Sequence, residues 1–414
     1  MSIYLISPAG HPNYGDELIA AGWLRHLAAA RPESDVWLDC PNPGLASELF
    51  SGIHPRLRVT NTLWRACWET GSEDPEVVMK RVAELVQHLG SPAYDMGLER
   101  LRNVDTIHML GGGYLNSLWP TNAGLVAGAV AVRNLTGAKL FATGLSVIPL
   151  LPSGNRADGD SEWDIIRLFA EFDHISVRDT PSADALGVPS GLDDAFLAVG
   201  HEHRRGLERG GADVVVCLQS DLQSPEQSER VTSAVRELVR EARNEGKTVQ
   251  YVEAIPGVDR AGFDAMDDLI RPEHFIPFIS VWRDGLPLKQ KQTWLTTRFH
   301  LHFMAAAAGA AGVAVGIREG YYDVKHRSLI DLGTGWSYME APRPGSAAAK
   351  VSPTTEPSFA SLLPSRSDQK RREAETLYPK AVDPVERRWS VQRDFFMPSG
   401  KLIKGVRTAL SGQR

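Results

Sequence analysis

Short apolar runs alternate along the chain with segments in which apolar residues recur every three or four positions. The first run covers residues 3–7 and precedes a loop rich in Gly, Pro and Asn. Leu18, Trp23 and Leu27 then follow at helical spacing, before a second apolar run at 36–39. Such runs predict buried strands, and the intervening period predicts a helix. The order strand–loop–helix–strand therefore predicts a βαβ unit and an α/β fold.

The same alternation continues through most of the chain. It predicts further strands at 106–110, 139–143, 174–177, 214–218, 249–253, 275–281 and 313–316, and helices at 124–134, 162–171, 226–245, 258–271 and 326–332.

The length of the chain and one polar segment suggest how it is divided. A chain of 414 residues favours two domains over one. Residues 200–211 are rich in His, Arg and Gly and are the predicted linker. We expect an N-terminal domain at 1–205, a C-terminal domain at 206–340, and a Pro/Ser-rich segment followed by a helical tail at 341–414.

Composition narrows the class of protein. Hydrophobic residues make up 43% of the chain and charged residues 23%, which suits a globular protein with a core. The net charge of −6 argues against a non-specific nucleic-acid binder. Cys40, Cys67 and Cys217 lie far apart without metal-ligand spacing, and we expect them to be buried thiols.

Nothing in the sequence predicts a targeting or membrane-spanning segment. Residues 1–7 lack the basic region and long apolar core of a signal peptide, and the apolar stretch 303–317 is too short and too rich in Ala and Gly to cross a bilayer. We expect a cytoplasmic protein. The basic end, 401–414, predicts either a weak contact with the inner membrane surface or a frayed terminal helix.

The most informative stretch is 294–302, in which an apolar strand ends at Arg298, His300 and His302. A run of small residues at 303–311 follows and predicts a helix packed close to the sheet. Ligands of open α/β sheets bind outside the carboxyl ends of the strands. If the strand continues to His300, Arg298 and His300 point to the same face. The stretch therefore predicts a site for an anionic small molecule.

Other polar groups also follow predicted strands. Three glycines, 111–113, come after strand 106–110; they predict either a loop whose amides bind an anion or a tight turn before a helix. Arg178 follows strand 174–177. Asp16 opens the first helix, where it either caps free amides or faces a ligand.

Five motifs, taken in order, resemble the polysaccharide pyruvyl transferase family over roughly residues 1–335. They are Asn13-Tyr-Gly-Asp16, Gly111-Gly-Gly113, Gly144-Leu-Ser146, Ser176-Val-Arg-Asp179 with Ser182, and Arg298-Phe-His300. The resemblance implies two Rossmann-like domains facing across a cleft, a shape similar to the GT-B glycosyltransferases. It implies transfer of an enolpyruvyl unit from phosphoenolpyruvate to two hydroxyls of one sugar, as a cyclic ketal. Phe299 stands where the family usually has Leu.

The resemblance also implies roles for the donor side of the site. Arg178 and Arg298 would grip the oxyanions of phosphoenolpyruvate from the two domains, since arginine binds such groups bidentately. Phe299 would shape the pocket. Lys325, which precedes a predicted helix, is expected either to add charge at the phosphate or to be an exposed lysine. We expect His300 to be the general acid in preference to His302.

On the acceptor side, we expect Asn13, Asp16 and Asn116 to bind the sugar, with His11 as a further residue at the edge of the site. Gly111, Gly112 and Gly113 form the expected ligand loop, and Asp193 or Asp194 is assigned to the domain interface. The predicted partners are phosphoenolpyruvate as donor substrate and the sugar of a glycan or lipid-linked oligosaccharide. We expect no cofactor and no catalytic metal.

Two alternatives share this fold. A GT-B glycosyltransferase would use a nucleotide-sugar and would present an acidic residue to the ribose; Glu319 and Asp323 follow the strand at 313–316. A non-catalytic carbohydrate- or anion-binding protein would keep the arginines but would not need His300 for turnover.

Overall fold

The computed structural model describes residues 1–151, 163–317, 321–340 and 358–380. Two six-stranded parallel sheets dominate it, each with helices on both faces. The prediction of an α/β protein with two Rossmann-like domains is confirmed by these sheets.

The N-terminal sheet has the strand order β3-β2-β1-β4-β5-β6. Its strands are β1 (Ser2–Ile6), β2 (Asp35–Asp39), β3 (Leu57–Thr60), β4 (Thr106–Met109), β5 (Lys139–Leu145) and β6 (His174–Val177). The helices around it are α1 (Tyr14–Ala30), α2 (Pro43–Leu49), α3 (Thr62–Trp68), α4 (Pro75–Gln87), α5 (Asp95–Leu101), α6 (Ala123–Thr136), α7 (Ile165–Phe169), α8 (Thr180–Leu186) and α9 (Val199–Arg209). Short 3-10 helices cover Pro120–Asn122 and Asp194–Leu197.

The C-terminal sheet has the order β12-β11-β10-β7-β8-β9, which repeats the topology of the first sheet. Its strands are β7 (Val214–Cys217), β8 (Val249–Val252), β9 (Phe275–Ile276), β10 (Thr293–Thr296), β11 (Ala311–Val315) and β12 (Ser337–Met339). Its helices are α10 (Pro225–Asn244), α11 (Arg260–Asp264), α12 (Phe278–Asp284), α13 (Phe299–Ala307) and α14 (Tyr322–Leu329), with a 3-10 helix at Pro272–His274 and a π-helical turn at Ile330–Thr334.

Both sheets reverse strand order at one point, between β1 and β4 in the first and between β7 and β10 in the second. The central strands are buried on both faces, as apolar parallel strands require. A crevice opens at such a switch point outside the carboxyl ends of the strands. The residues that follow β1, β4, β7 and β10 are therefore placed to line a ligand site.

Several predicted elements differ from the observed ones. Residues 200–211, the predicted linker, lie mostly in helix α9. Strands β3 and β12 are short and were not predicted, and most of the predicted strand 275–281 belongs to helix α12. The small-residue helix after β10 begins at Phe299 rather than at residue 303.

One helix returns from the end of the chain to the N-terminal domain. Helix α15 (Ser358–Leu377) lies in the predicted segment 341–414, in which a helical tail was expected. Lys370 on this helix is fully buried and forms an ion pair of 2.6 Å with Asp194. Just beyond the helix, the Tyr378 hydroxyl lies 3.1 Å from Nδ1 of His108 on β4. The C-terminal helix thus completes the core of the N-terminal domain.

The basic end of the chain, 401–414, lies outside the described residues. Within the residues that the structure describes, no helix combines the length and the apolar character that a membrane crossing requires. Cys40, Cys67 and Cys217 are buried and free, as predicted.

Candidate active site

A cavity of about 460 Å³ lies between the two domains. Residues that follow β1, β4 and β6 meet residues that follow β7 and β10 in its wall. From the predicted site, the cavity is lined by His11, Asn13, Asp16, Gly113, Arg178, Arg298, Phe299, His300 and Lys325. The structure therefore gathers nearly all of the predicted residues around one space.

Arg178 follows β6 and is buried, with its Nη1 atom 2.7 Å from Oδ2 of Asp193. Burial opposes its charge, but Asp193, together with Asp179 and Tyr321, more than offsets burial, so the pKa of Arg178 is raised. The guanidinium also lies 4.4 Å from the centre of the Phe299 ring, which comes from the other domain. Arg178 is therefore a fixed cation that touches both sides of the cleft.

Lys325, on α14, brings a second positive charge to the same place. A Cβ at Gly113 would lie 3.0 Å from Nζ of Lys325 and 3.3 Å from Nη2 of Arg178, so both cations crowd this glycine. Burial, and next the charge of Arg178, lower the pKa of Lys325 well below its ordinary value. An oxyanion bound between Lys325 and Arg178 would favour the charged form of Lys325 and so raise its pKa again.

Arg298 differs from Arg178 because it is held by acidic residues of its own domain. It precedes α13, donates to the fully buried Asp259 through Nε at 3.1 Å and through Nη2, and approaches Asp221 at 3.4 Å. The carboxylate of Asp259 also accepts the backbone N–H groups of Ala254 and Ile255. Arg298 thus lines the cavity with a charge that is already partly balanced.

His300 lies in the first turn of α13 and not on a strand, so the argument that placed it on the face of Arg298 by strand alternation is corrected. Its ring packs onto Gly15 at the start of α1, where a Cβ would overlap the imidazole. Its Nε2 atom is 3.4 Å from Oδ1 of Asp193. Burial raises the pKa of Asp193, but His300 and then Arg178 hold it below its ordinary range.

His302 is separated from this chemistry. It is fully buried, its Nε2 is 2.9 Å from Oγ1 of Thr334, and its Nδ1 is 3.1 Å from Nδ1 of His326. His326 Nε2 faces the carbonyl oxygen of Thr297 at 3.2 Å. A carbonyl only accepts, so His326 donates there and His302 donates to His326. Burial lowers the pKa of both imidazoles, to about 4 for His326. His302 is therefore a packed core histidine.

Asn13 and Asp16 open helix α1 at the wall of the cavity. The N-cap is Asn13, whose side chain accepts the N–H of Gly15. Asp16 accepts a hydrogen bond of 2.7 Å from the Asn13 amide instead of capping the helix. Burial raises its pKa, against the opposing charges of His300, Lys325 and Arg178. Of the two roles predicted for Asp16, the geometry supports the one that faces a ligand.

Three predicted contacts need correction. Asn116 is fully buried, and its side chain bonds the backbone of Gly113 and Leu118, so it shapes the loop and lies outside the cavity wall. The amide of Gly111 donates to Asp194, and that of Gly112 points to the carbonyl of Gly144 at 3.4 Å. Within the glycine loop, only Gly113 lines the cavity.

Sequence reasoning assigned Asp193 and Asp194 only to the domain interface. In the structure Asp193 joins Arg178 to His300, while Asp194 accepts from the indole of Trp23 and the hydroxyl of Thr143, both at 2.7 Å. The signal was a pair of adjacent carboxylates in an otherwise apolar region. Gly15 was also missed as a contact, although it lies inside the Asn13-Tyr-Gly-Asp16 motif.

Among the described residues, no group of three or more His, Cys, Asp or Glu side chains is arranged to hold a metal ion. The cavity itself presents basic side chains, carboxylates and the imidazoles of His11 and His300. Two or more oxyanions on a small molecule match the convergence of Arg178, Lys325 and Arg298.

Solved structures with a similar course of the chain have low sequence identity. A UDP-N-acetylglucosamine 2-epimerase is 11% identical with a TM-score of 0.47, covering 98% of this chain and 99% of its own. A putative UDP-N-acetylglucosamine 2-epimerase from Listeria monocytogenes is 14% identical with a TM-score of 0.45, covering 97% and 99%. Os79 from O. sativa, in complex with U2F and trichothecene, is 11% identical with a TM-score of 0.46, covering 95% and 100%. Similarity at this level bears on neither substrate nor mechanism.

Among curated proteins, none matches the sequence at a significant level. The family model described as polysaccharide pyruvyl transferase matches residues 13–318, which is more than half of the chain. The match begins at Asn13, the N-cap of α1, and ends beyond β11. It therefore contains all of the cavity residues except Pro8, His11, Tyr321 and Lys325, and the chain belongs to the polysaccharide pyruvyl transferase family.

Proposed function

We propose that the protein transfers the enolpyruvyl unit of phosphoenolpyruvate onto two hydroxyls of one sugar in a cell-surface glycan or glycolipid, with release of phosphate. One observation carries this proposal: Arg178 and Lys325, from different domains, converge on Gly113 in the cavity that also contains His300. A donor with a phosphate and a carboxylate suits such a pair of cations.

The roles of the side chains follow from their positions. Arg178 and Lys325 bind the anionic donor. Arg298 also contributes positive charge to the site, but Asp259 partly balances that charge. His300, as imidazolium, donates its proton to the methylene carbon of phosphoenolpyruvate, and Asp193 stabilises that charged ring. The neighbouring carbon gains oxocarbenium character and is attacked by the first sugar hydroxyl.

The reaction then completes as a ketal. The attacking hydroxyl loses its proton to His300, which restores the acid. The bond from carbon to phosphate oxygen then breaks, and the phosphate leaves with the proton that His300 carries. The second hydroxyl of the same sugar attacks the same carbon and gives its proton to His300, which closes the ring and restores the imidazolium. Asn13 and Asp16, which line the cavity from the N-terminal domain, bind the acceptor hydroxyls in this proposal. We place the reaction in the cytoplasm, where phosphoenolpyruvate is made.

Incubation with labelled donor tests the proposal. Phosphoenolpyruvate carrying carbon-14 in the pyruvyl unit is mixed with a panel of methyl glycosides, and phosphate release and label transfer are followed together. We expect phosphate release that requires a glycoside, and label that joins the glycoside as an acid-labile ketal. Sugar transfer from a nucleotide-sugar, with no phosphate released from phosphoenolpyruvate, would contradict the proposal.

The glycosyltransferase alternative requires an acidic residue that could bind the ribose of a nucleotide-sugar. Glu319 lies outside the described residues, and Asp323 on α14 is not among the side chains that line the cavity. His300 distinguishes an enzyme from the non-catalytic alternative. A general acid benefits from a carboxylate beside its imidazole, whereas a binding protein does not need this arrangement.

A further inference from the structure

Three aromatic side chains of the N-terminal domain line one side of the cavity in mutual contact. The rings of Trp68 and Trp64 are 5.7 Å apart, and those of Trp64 and Tyr114 are 5.8 Å apart. Trp64 and Trp68 are one turn apart on α3 and so share a face of that helix. We call these three residues the aromatic wall.

The aromatic wall runs from solvent to the reacting groups. Trp68 is 47% exposed, whereas Trp64 and Tyr114 are 3% and 5% exposed. At the inner end, a Cβ on Gly112 would lie 3.0 Å from the Tyr114 ring and 3.7 Å from the carboxylate of Asp16. Asp16 is in turn within the electrostatic reach of His300. The wall thus leads inward from a solvent-exposed indole to the catalytic centre.

The chemistry of the aromatic wall does not suit the donor. Phosphoenolpyruvate is small and highly charged, and the wall offers three uncharged rings. A sugar ring has an apolar C–H face and polar edges, which match an aromatic face bordered by polar side chains. His11 and Asn13 line the same cavity and supply such polar groups.

Trp64 adds a second observation. Its indole nitrogen is buried and has no hydrogen-bond partner among the residues that the structure describes. A buried indole N–H normally has an acceptor, because its desolvation is otherwise uncompensated. A sugar oxygen bound against the wall could accept it after a small shift of the ring.

We propose that the aromatic wall is an acceptor subsite for two successive sugars. The sugar that receives the pyruvyl unit packs against Trp64 and Tyr114, next to Asp16, and its neighbour in the glycan stacks on Trp68. The acceptor is then an oligosaccharide, and a monosaccharide occupies only the inner part of the site. This inference rests on the proposed pyruvyl transfer and specifies its acceptor.

Replacement of Trp68 tests the outer half of the subsite without disturbing the core, because this side chain is half exposed. The variants are Trp68→Ala, the conservative Trp68→Phe, and Leu135→Ala as a control at an equally exposed apolar residue of α6, 46% exposed and outside the cavity wall. Acceptors are methyl glucoside, methyl galactoside and methyl mannoside, each with its corresponding methyl disaccharide. Phosphate release from phosphoenolpyruvate gives kcat and KM for donor and acceptor separately.

We expect Trp68→Ala to lower kcat/KM for disaccharides about tenfold, as loss of a stacking tryptophan typically does. Monosaccharides and the KM for phosphoenolpyruvate should stay within about twofold to threefold of wild type, and Trp68→Phe should recover much of the loss. Leu135→Ala should behave as wild type.

Equal losses on monosaccharides and disaccharides, or no loss on either, would overturn the subsite while leaving pyruvyl transfer intact. A loss seen only with acceptors that carry a hydrophobic aglycone, such as p-nitrophenyl monosaccharides, would overturn it in favour of an apolar ligand. If wild type releases no phosphate with any glycoside, the proposed function fails and the subsite fails with it.

Discussion

Nε2 of His300 lies 3.4 Å from Oδ1 of Asp193, across the boundary between the two domains. The other oxygen of the same carboxylate accepts from Arg178 at 2.7 Å. One buried carboxylate therefore lies beside both the proposed acid and one of the proposed donor-binding cations. Because His300 comes from the C-terminal domain and Arg178 from the N-terminal domain, this contact depends on how closely the domains approach.

His300→Ala should remove turnover while leaving donor binding nearly intact. A general acid typically contributes 10²–10⁴ in rate, so we expect kcat to fall by about that range. Calorimetric titration with phosphoenolpyruvate should give an affinity within about tenfold of wild type. Normal turnover of this variant would rule out His300 as the acid and would favour the non-catalytic alternative.

Asp193→Asn should weaken both stability and activity at neutral pH. Arg178 and Asp193 are each 3% exposed, and breaking such a buried pair typically costs about 3–5 kcal/mol. The pKa of Asp193 in the folded protein is below its ordinary value. The ionised carboxylate therefore contributes fully to the free energy of unfolding above the ordinary pKa of an aspartate, and this contribution is lost as the pH falls. In urea denaturation, the difference in free energy of unfolding between the variant and the wild type should become smaller below about pH 4. If this difference in free energy does not change with pH, the charge of Asp193 is not the cause of the destabilisation.

Gly15→Ala should inactivate the protein without unfolding it. The added methyl group overlaps the His300 ring and must displace it from Asp193. The matched control is Gly200→Ala on α9, where a Cβ meets no atom within 4 Å. The control should be as active as wild type and more stable by up to about 1 kcal/mol. Full activity of Gly15→Ala would mean that the position of His300 is not critical.

Glu17→Gln should change how stability depends on pH. Glu17 is fully buried on α1, and burial raises its pKa to about 8. The folded state then keeps a proton that the unfolded state releases, so wild-type stability should fall as the pH rises from about 4.5 to about 8. In Glu17→Gln, stability should not fall in this way as the pH rises. The exposed control Glu33→Gln should show the same fall as the wild type. Thermal denaturation across this range measures both.

Lys370→Met should destabilise the N-terminal domain by about 3–5 kcal/mol, because it leaves the buried carboxylate of Asp194 without its cation. The double variant Lys370→Met with Asp194→Asn should regain part of this loss, since neither charge then remains. Chemical denaturation of the two variants measures the coupling. No recovery in the double variant would mean that the lysine acts through Glu373 or through packing.

The order of strands and helices was predictable because strong apolar runs mark the buried parallel strands. The short edge strands β3 and β12 were not, since their few residues carry a weak pattern and are defined by their neighbours. Arg178 and His300 were identified by motif and Lys325 by its position before a predicted helix, but their convergence depends on the packing of two domains. Asn116 was misassigned because its sequence position beside the glycine loop does not show that its side chain turns inward.

His302 is another residue whose environment could not be predicted from the sequence. From sequence, His300 and His302 are two residues apart and chemically alike. Their different environments arise because the helix begins at Phe299, which turns His302 towards Trp336, whose ring centre lies 4.2 Å away. The boundary of one helix thus separates a residue of the cavity from a residue of the core.

Helix α15 makes the N-terminal domain discontinuous in sequence. Its core includes Lys370 and Tyr378, which are synthesised after the entire second sheet. A fragment cut after α9 would leave Asp194 without the ammonium group of Lys370 and His108 without the hydroxyl of Tyr378, so we expect it to be less stable than the full chain. We therefore expect the N-terminal domain to complete its core only after α15 has been synthesised.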